Sequence, residues 1–210
     1  MFSRKGHEGA PAQPPAARRW LSVMAAHELI LGGQRSGKSR CAEARASAWL
    51  AQPGRTAVLL ATAIAGDDEM RARIAQHRAD RSQRMAGLAT VEVPRDLAAA
   101  LRANTAPHRL VLVDCLTLWL TNLLMPIEGP ALDDAALAAA RDALCGALTE
   151  ASGPIVLVSN EIGLGITPMT REARRFVDEI GRVHQAVAAI CTSVTLMVAG
   201  IEMPVKRGGA

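Results

Sequence analysis

The stretch ELILGGQRSGKS, Glu28 to Ser39, joins a short apolar run to a glycine-rich loop. Gly32, Gly37, Lys38 and Ser39 satisfy G-x-x-x-x-G-K-[ST]. In that pattern the glycines let successive backbone N–H groups turn inward onto phosphate oxygens. The loop constrains the fold sharply. It needs a strand before it and a helix after it, because the helix N-terminus adds its positive end to the same phosphate. Residues 28–31 read as that strand and 37–51 as that helix. Gly33, Gln34, Arg35 and Ser36 complete the cradle, Lys38 would reach the β- and γ-phosphates, and the Ser39 hydroxyl would ligate Mg²⁺.

Downstream, short β-branched runs alternate with helical patterns. Strands are expected at 28–31, 56–61, 90–93, 110–113, 155–158 and 194–198, and helices at 37–51, 67–85, 95–103, 116–125, 133–151 and 171–190. The last helix carries Ala173, Phe176, Val177, Ile180, Val183, Val187 and Ile190 on one stripe, with Arg171, Arg174, Arg175, Asp178, Glu179 and Arg182 opposite, and Thr170 as its N-cap. Several strands are apolar throughout rather than alternating, which indicates a sheet buried on both faces. The expected fold is α/β: a single P-loop, RecA-like domain over 24–210, with a mostly parallel sheet and helices on both faces.

Composition narrows the function. Residues 1–23 carry Arg4, Lys5, Arg18 and Arg19 against Glu8 alone, which is three of the four net positive charges. The rest is near neutral, so no broad electrostatic footprint for nucleic acid is expected. This Pro/Ala-rich segment reads as a disordered extension, with Met24 an alternative start. Its apolar run, Trp20 to Ala26, falls far short of the roughly 18 residues of a membrane span. Cys41, Cys115, Cys145 and Cys191 form no C-x-x-C pair. They read as reduced thiols of a cytoplasmic protein.

Two further features bear on chemistry. RLVLVDC ends an apolar strand in Asp114, a carboxylate suited to helping Ser39 hold Mg²⁺. In DDEMRARIAQHRADR, His77 shares a helical face with Met70 and Ile74 amid Arg71, Arg73, Arg78 and Arg81. A neutral imidazole is a competent nucleophile toward phosphorus, and arginines suit the phosphates of the group attacked. From the pattern alone, a solvated helix face with an incidental histidine is the simpler reading. No N-K-x-D motif or aromatic basic strip is present, so a small-molecule transferase fits better than a nucleic-acid motor.

Several separated segments occur in a telling order: GGQRSGKS, ATAIAGDDEMRARIAQHRADR, TVEVP, DCLTLWLTNLL, SNEIGLGITPMTREARRFVDEIGRVHQAV and VAGI. Together they resemble the bifunctional adenosylcobinamide kinase / adenosylcobinamide-phosphate guanylyltransferases of cobalamin biosynthesis. The resemblance implies phosphorylation of adenosylcobinamide by ATP or GTP. GMP then passes from GTP, through a guanylyl-histidine at His77, to adenosylcobinamide phosphate. It also implies nucleotide contacts at Gly32–Ser39, at Thr62, Ala63 and Ile64, at Arg78, Ala79, Asp80 and Arg81, and at Glu92 and Asp114, and a homotrimeric assembly. A single-function P-loop kinase for another small molecule is the alternative.

Overall fold

Strand β1 (Glu28–Gly32) is the spine of the sheet, with Leu29 and Ile30 fully buried on opposite faces. The computed structural model describes residues 27–66, 71, 72, 75 and 88–208. After β1 come α1 (Lys38–Leu50), β2 (Thr56–Ala61), β3 (Ala89–Glu92), α2 (Leu97–Asn104), β4 (Arg109–Asp114), α3 (Leu116–Leu124), α4 (Asp134–Glu150), β5 (Ile155–Asn160), α5 (Arg171–Ile190), β6 (Ser193–Val198) and β7 (Ile201–Lys206). The seven strands lie in the order β3-β2-β4-β5-β1-β6-β7. All pairings are parallel except β6 with β7. The six expected strands are present, and so are the expected helices other than that over 67–85. Of that segment only Arg71, Ala72 and Ala75 are described, and they are helical.

The helices cover both faces, as the apolar strands require. On one face α1 packs Cys41, Ala42, Ala46 and Trp49 against Ile30, Leu59, Leu112 and Val158. Its alanines let the helix axis come close to the sheet. On the other face α2 to α5 place Leu101, Leu116, Trp119, Leu144 and Val183 over Leu29, Leu60, Val113 and Leu157. The Thr170 hydroxyl accepts from the Ala173 N–H at 3.2 Å, so the expected N-cap of α5 is formed. Glu179, expected on the polar face, is instead buried and paired with Arg182 of the next turn. His184 also lies on the buried stripe.

Strand β7 lay outside the expected set. Val198 and Ile201 face one another across a two-residue turn in which Ala199 and Gly200 have φ of 51° and 82°. Positive φ at both central residues is the geometry that matches the twist of paired strands. Two polar ties hold β7. Glu202 bonds Arg45 of α1 at 2.5 Å, and the Lys206 ammonium donates to the Ala188 carbonyl near the end of α5 at 2.8 Å. Arg45 also binds Glu28 at 3.0 Å, and Thr195 donates to the same carboxylate at 2.6 Å. Glu28 is 1 % exposed, so its charge is tolerated only because these donors surround it. Arg45→Met is expected to destabilise the chain by about 3 kcal/mol or more, read as a lower urea midpoint.

The cysteines are free, and three of the four are buried. Burial pushes the Cys41 and Cys191 thiols up to about 12, which keeps them protonated. Burial acts oppositely on His27, whose Nε2 bonds the Leu148 carbonyl at 2.9 Å while Nδ1 has no partner. Its pKa falls below the ordinary 6.5. The unfolded chain therefore takes up a proton here at a pH where the folded chain does not, so stability is full above about pH 6.5 and falls as the pH drops below it. His27→Gln is expected to flatten that fall, measured by urea unfolding between pH 7.5 and 5.5.

Candidate active site at the carboxyl edge of the sheet

Parallel strands bring their carboxyl ends to one edge, and the phosphate loop leaves β1 there. Gly32 has φ +153°, and a Cβ on it would lie 2.5 Å from the Met197 carbonyl oxygen and 2.6 Å from Ser36 Oγ. Gly37, at φ 100°, opens α1. Ser36 N–H bonds the Gly33 carbonyl at 3.3 Å, and Gly200 N–H bonds the Ser36 carbonyl at 3.0 Å. The β6–β7 turn thus braces the loop from behind. Ser36 Oγ is buried without a hydrogen-bond partner. Gly33, Gln34 and Arg35 are exposed at the mouth, and Arg35 also has positive φ.

Lys38 is 7 % exposed and donates to the Gly33 carbonyl at 2.6 Å. Burial lowers its pKa, against the opposing influence of Cys115 and Asp114. A desolvated ammonium within a glycine-rich strand-to-helix turn suits the charge of a phosphate chain. Ser39, the next residue, is partly exposed, and Asp114 ends β4. Between β1 and β4 stands only β5, so Asp114 lies two strand spacings, about 10 Å, from the strand that carries the loop. A hydroxyl and a carboxylate at this edge are hard oxygen donors of the kind Mg²⁺ shares with nucleotide phosphates. Among the described residues no group of three His, Cys, Asp or Glu side chains could by itself hold a metal.

The remaining expected residues are spread along the same edge. Thr62 is fully buried. Its amide donates to the Asp114 carbonyl at 2.9 Å, and its hydroxyl binds the Cys115 carbonyl and amide, each at 2.8 Å. Asn122 donates to the Thr62 carbonyl at 2.7 Å. Thr62 therefore locks the backbone at which Asp114 is presented. Ala63 and Ile64 follow and are partly exposed. Glu92 ends β3 and is exposed, four strand spacings from β1. His77, Arg78, Ala79, Asp80 and Arg81 lie outside the described residues.

The segment SNEIGLG contributes to the family resemblance, but the sequence raises no expectation of a site role at the end of β5. There Ser159, Asn160 and Glu161 follow an apolar strand directly beside β1, and the Glu161 N–H bonds the Gly32 carbonyl at 3.0 Å. His184 of α5 reaches the same place, with Nε2 2.7 Å from Ser159 Oγ. An acidic residue closing an apolar strand was the available signal, the same one that marked Asp114. For His184 the signal was its place at i+4 from Ile180 on the apolar stripe.

A sequence model of the family described as cobinamide kinase / cobinamide phosphate guanyltransferase matches residues 28–205. The chain belongs to that family. Within the cobinamide kinase / guanyltransferase family, it is 51 % identical over 179 residues to the bifunctional adenosylcobalamin biosynthesis protein CobP of Pseudomonas aeruginosa, covering 85 % of this chain and 96 % of the relative. It is 38 % identical to the bifunctional adenosylcobalamin biosynthesis protein CobU of Escherichia coli, covering 85 % and 98 %. Among solved structures, a Pyrococcus horikoshii protein superposes with a TM-score of 0.56 over 91 % of this chain and 92 % of that one. At 6 % identity that likeness speaks for the α/β fold alone.

The loop geometry makes a sharp contrast between neighbouring glycines. Gly32→Ala is expected to lose measurable GTP binding by calorimetry, since both its φ and the Met197 carbonyl exclude a methyl group. Gly33→Ala, whose Cβ would meet nothing within 4 Å, is expected to keep it.

Proposed function

We propose that this chain phosphorylates the aminopropanol hydroxyl of adenosylcobinamide with ATP or GTP. It then transfers GMP from GTP to the resulting phosphate, giving adenosylcobinamide-GDP for cobalamin biosynthesis. The observation that carries this reading is the family match across residues 28–205, which contains the braced phosphate loop. Relatives named as bifunctional favour it over a single-function kinase.

In the first reaction the amides of Gly32–Ser39 and the Lys38 ammonium hold the phosphate chain of the donor nucleotide. Phosphoryl transfer asks little of the protein beyond such positioning and charge neutralisation. Ser39 and Asp114 would hold Mg²⁺, which offsets charge on the phosphate oxygens. In the second reaction the His77 imidazole nitrogen attacks the α-phosphorus of GTP. An N–P bond forms as the bond to pyrophosphate breaks, and the adenosylcobinamide phosphate oxygen then displaces the histidine. Arg78, Ala79, Asp80 and Arg81, with Thr62, Ala63, Ile64 and Glu92, complete the nucleotide contacts in this reading.

The loop at 163–168, which opens from Glu161, is the proposed contact for the corrinoid; Leu164 and Ile166 there are largely exposed. A homotrimer is the proposed assembly, and the exposed row Ile201, Met203 and Val205 on β7 supports self-association. The proposed compartment is the cytoplasm, and residues 1–23, outside the described residues, are proposed as a separate extension. Among the described residues no helix is long and apolar enough to cross a membrane.

GTP labelled at the α-phosphate tests the reading. The chain is expected to take up acid-labile label, to pass it to adenosylcobinamide phosphate, and to take none as His77→Ala. An unlabelled wild type would leave the single-function kinase standing.

A further inference from the structure

Four side chains that the phosphate loop does not use form a connected line beneath the carboxyl edge. The Asn160 N–H donates to Thr117 Oγ1 at 2.8 Å, and that oxygen lies 3.1 Å from Ser159 Oγ. Ser159 Oγ is 2.7 Å from His184 Nε2, and His184 Nδ1 is 3.4 Å from Glu161 Oε2. One assignment of protons satisfies every member. Thr117 donates to Ser159, Ser159 donates to Nε2, and Nδ1–H is left facing Glu161.

The set of groups is that of a serine–histidine–carboxylate relay, but its exposure is reversed. Ser159 is 0 % and His184 6 % exposed, whereas the Glu161 side chain is 20 % exposed. A hydroxyl sealed from solvent cannot attack a substrate, so the line can act only through its carboxylate end. That end is well placed. The Glu161 amide is tied to the Gly32 carbonyl at the start of the phosphate loop, and its Oε1 accepts the Gly163 N–H at 2.7 Å. β5 lies between the loop strand and the Asp114 strand. Ionised, the carboxylate has about four lone-pair positions, and the Gly163 amide and His184 engage one on each oxygen, which leaves acceptor capacity for a substrate hydroxyl.

We propose that Glu161 accepts the proton of the attacking hydroxyl in the phosphoryl-transfer step, and that His184 is the residue that positions it. This inference rests on the kinase half of the proposed function. The acceptor oxygen forms its bond to the γ-phosphorus as the bridging P–O bond to the nucleoside diphosphate breaks. The hydroxyl proton passes to Glu161 and leaves to solvent with product release. Burial of the relay behind it holds the carboxylate in one orientation without adding a competing nucleophile. Guanylylation of a histidine involves no hydroxyl, so the second activity does not call on Glu161.

The full chain separates these roles. With ATP and adenosylcobinamide, Glu161→Gln is expected to lower kcat about a hundredfold or more, with KM for both substrates within threefold of wild type. Covalent labelling from α-labelled GTP is expected to remain at the wild-type level. His184→Ala is expected to lower kcat about tenfold in the wild-type background and to add nothing in the Glu161→Gln background, since a residue acting through another shows full coupling. The proposal is overturned if Glu161→Gln keeps kcat within threefold, if it loses kinase activity and labelling equally, or if the His184→Ala loss persists without Glu161. A wild type that labels but phosphorylates no adenosylcobinamide removes the kinase reading and this inference together; one that phosphorylates without labelling removes only the guanylyltransferase half.

Discussion

The contact between the start of the phosphate loop and strand β6 is the constraint on which the site depends. Gly32 pairs in register with Met197, and only a glycine can lie so close to that carbonyl. Five residues on, a Cβ at Gly37 would lie 3.3 Å from the Gly200 Cα, and the Gly200 amide holds the Ser36 carbonyl. The loop is therefore gripped at both ends by the same hairpin. In the proposed function, donors fixed in this way would need no reorganisation when phosphate arrives, which is where a preorganised cradle gains its strength.

That hairpin is in turn held by charges that the interior would otherwise reject. β7 is an exposed antiparallel edge, with Pro204 in its middle and Ile201 and Val205 each two-thirds exposed. Little apolar burial keeps it in place. The Arg45 guanidinium joins Glu202 on β7 to the buried Glu28 on β1, so one side chain of α1 ties the edge strand to the central strand. A buried ion pair seldom adds much net stability, but it does fix which groups face one another. Here it fixes the β6–β7 hairpin, and through the hairpin the loop.

The layers of this fold were readable because parallel strands buried on both faces are written as uninterrupted apolar runs, and the loop motif names its own flanking strand and helix. β7 was not readable for the opposite reason. IEMPVK mixes charge, proline and half-exposed apolar residues, and its strand character comes from pairing with β6 rather than from its own pattern. Glu179 misled because periodicity assigns charged residues to the solvent face, and burial beside Arg182 overrides that assignment. At the site, Lys38 and Asp114 were legible as motif and strand end. The Thr117–Ser159–His184–Glu161 line was not, because its members lie on β5, on two helices and at a loop entry. Only the tertiary fold brings each within 3.4 Å of the next.

Sheet order also bears on how one domain serves two transfers. β2 and β3, from which the expected contacts Thr62 and Glu92 come, stand three and four strand spacings from β1, or about 14 and 19 Å. In the sequence His77 falls between Gly66, which follows β2, and Leu88, which precedes β3. A nucleotide held at the phosphate loop would therefore have to extend along the edge to meet contacts at β2 and β3. A single direct displacement would need donor and acceptor phosphates brought together at one point of the edge. A histidine that takes up GMP relaxes that demand, because the two displacements then share only the carried nucleotide. Under the proposed function, the covalent intermediate lets pyrophosphate leave before the corrinoid phosphate enters, so donor and acceptor need not occupy the edge together.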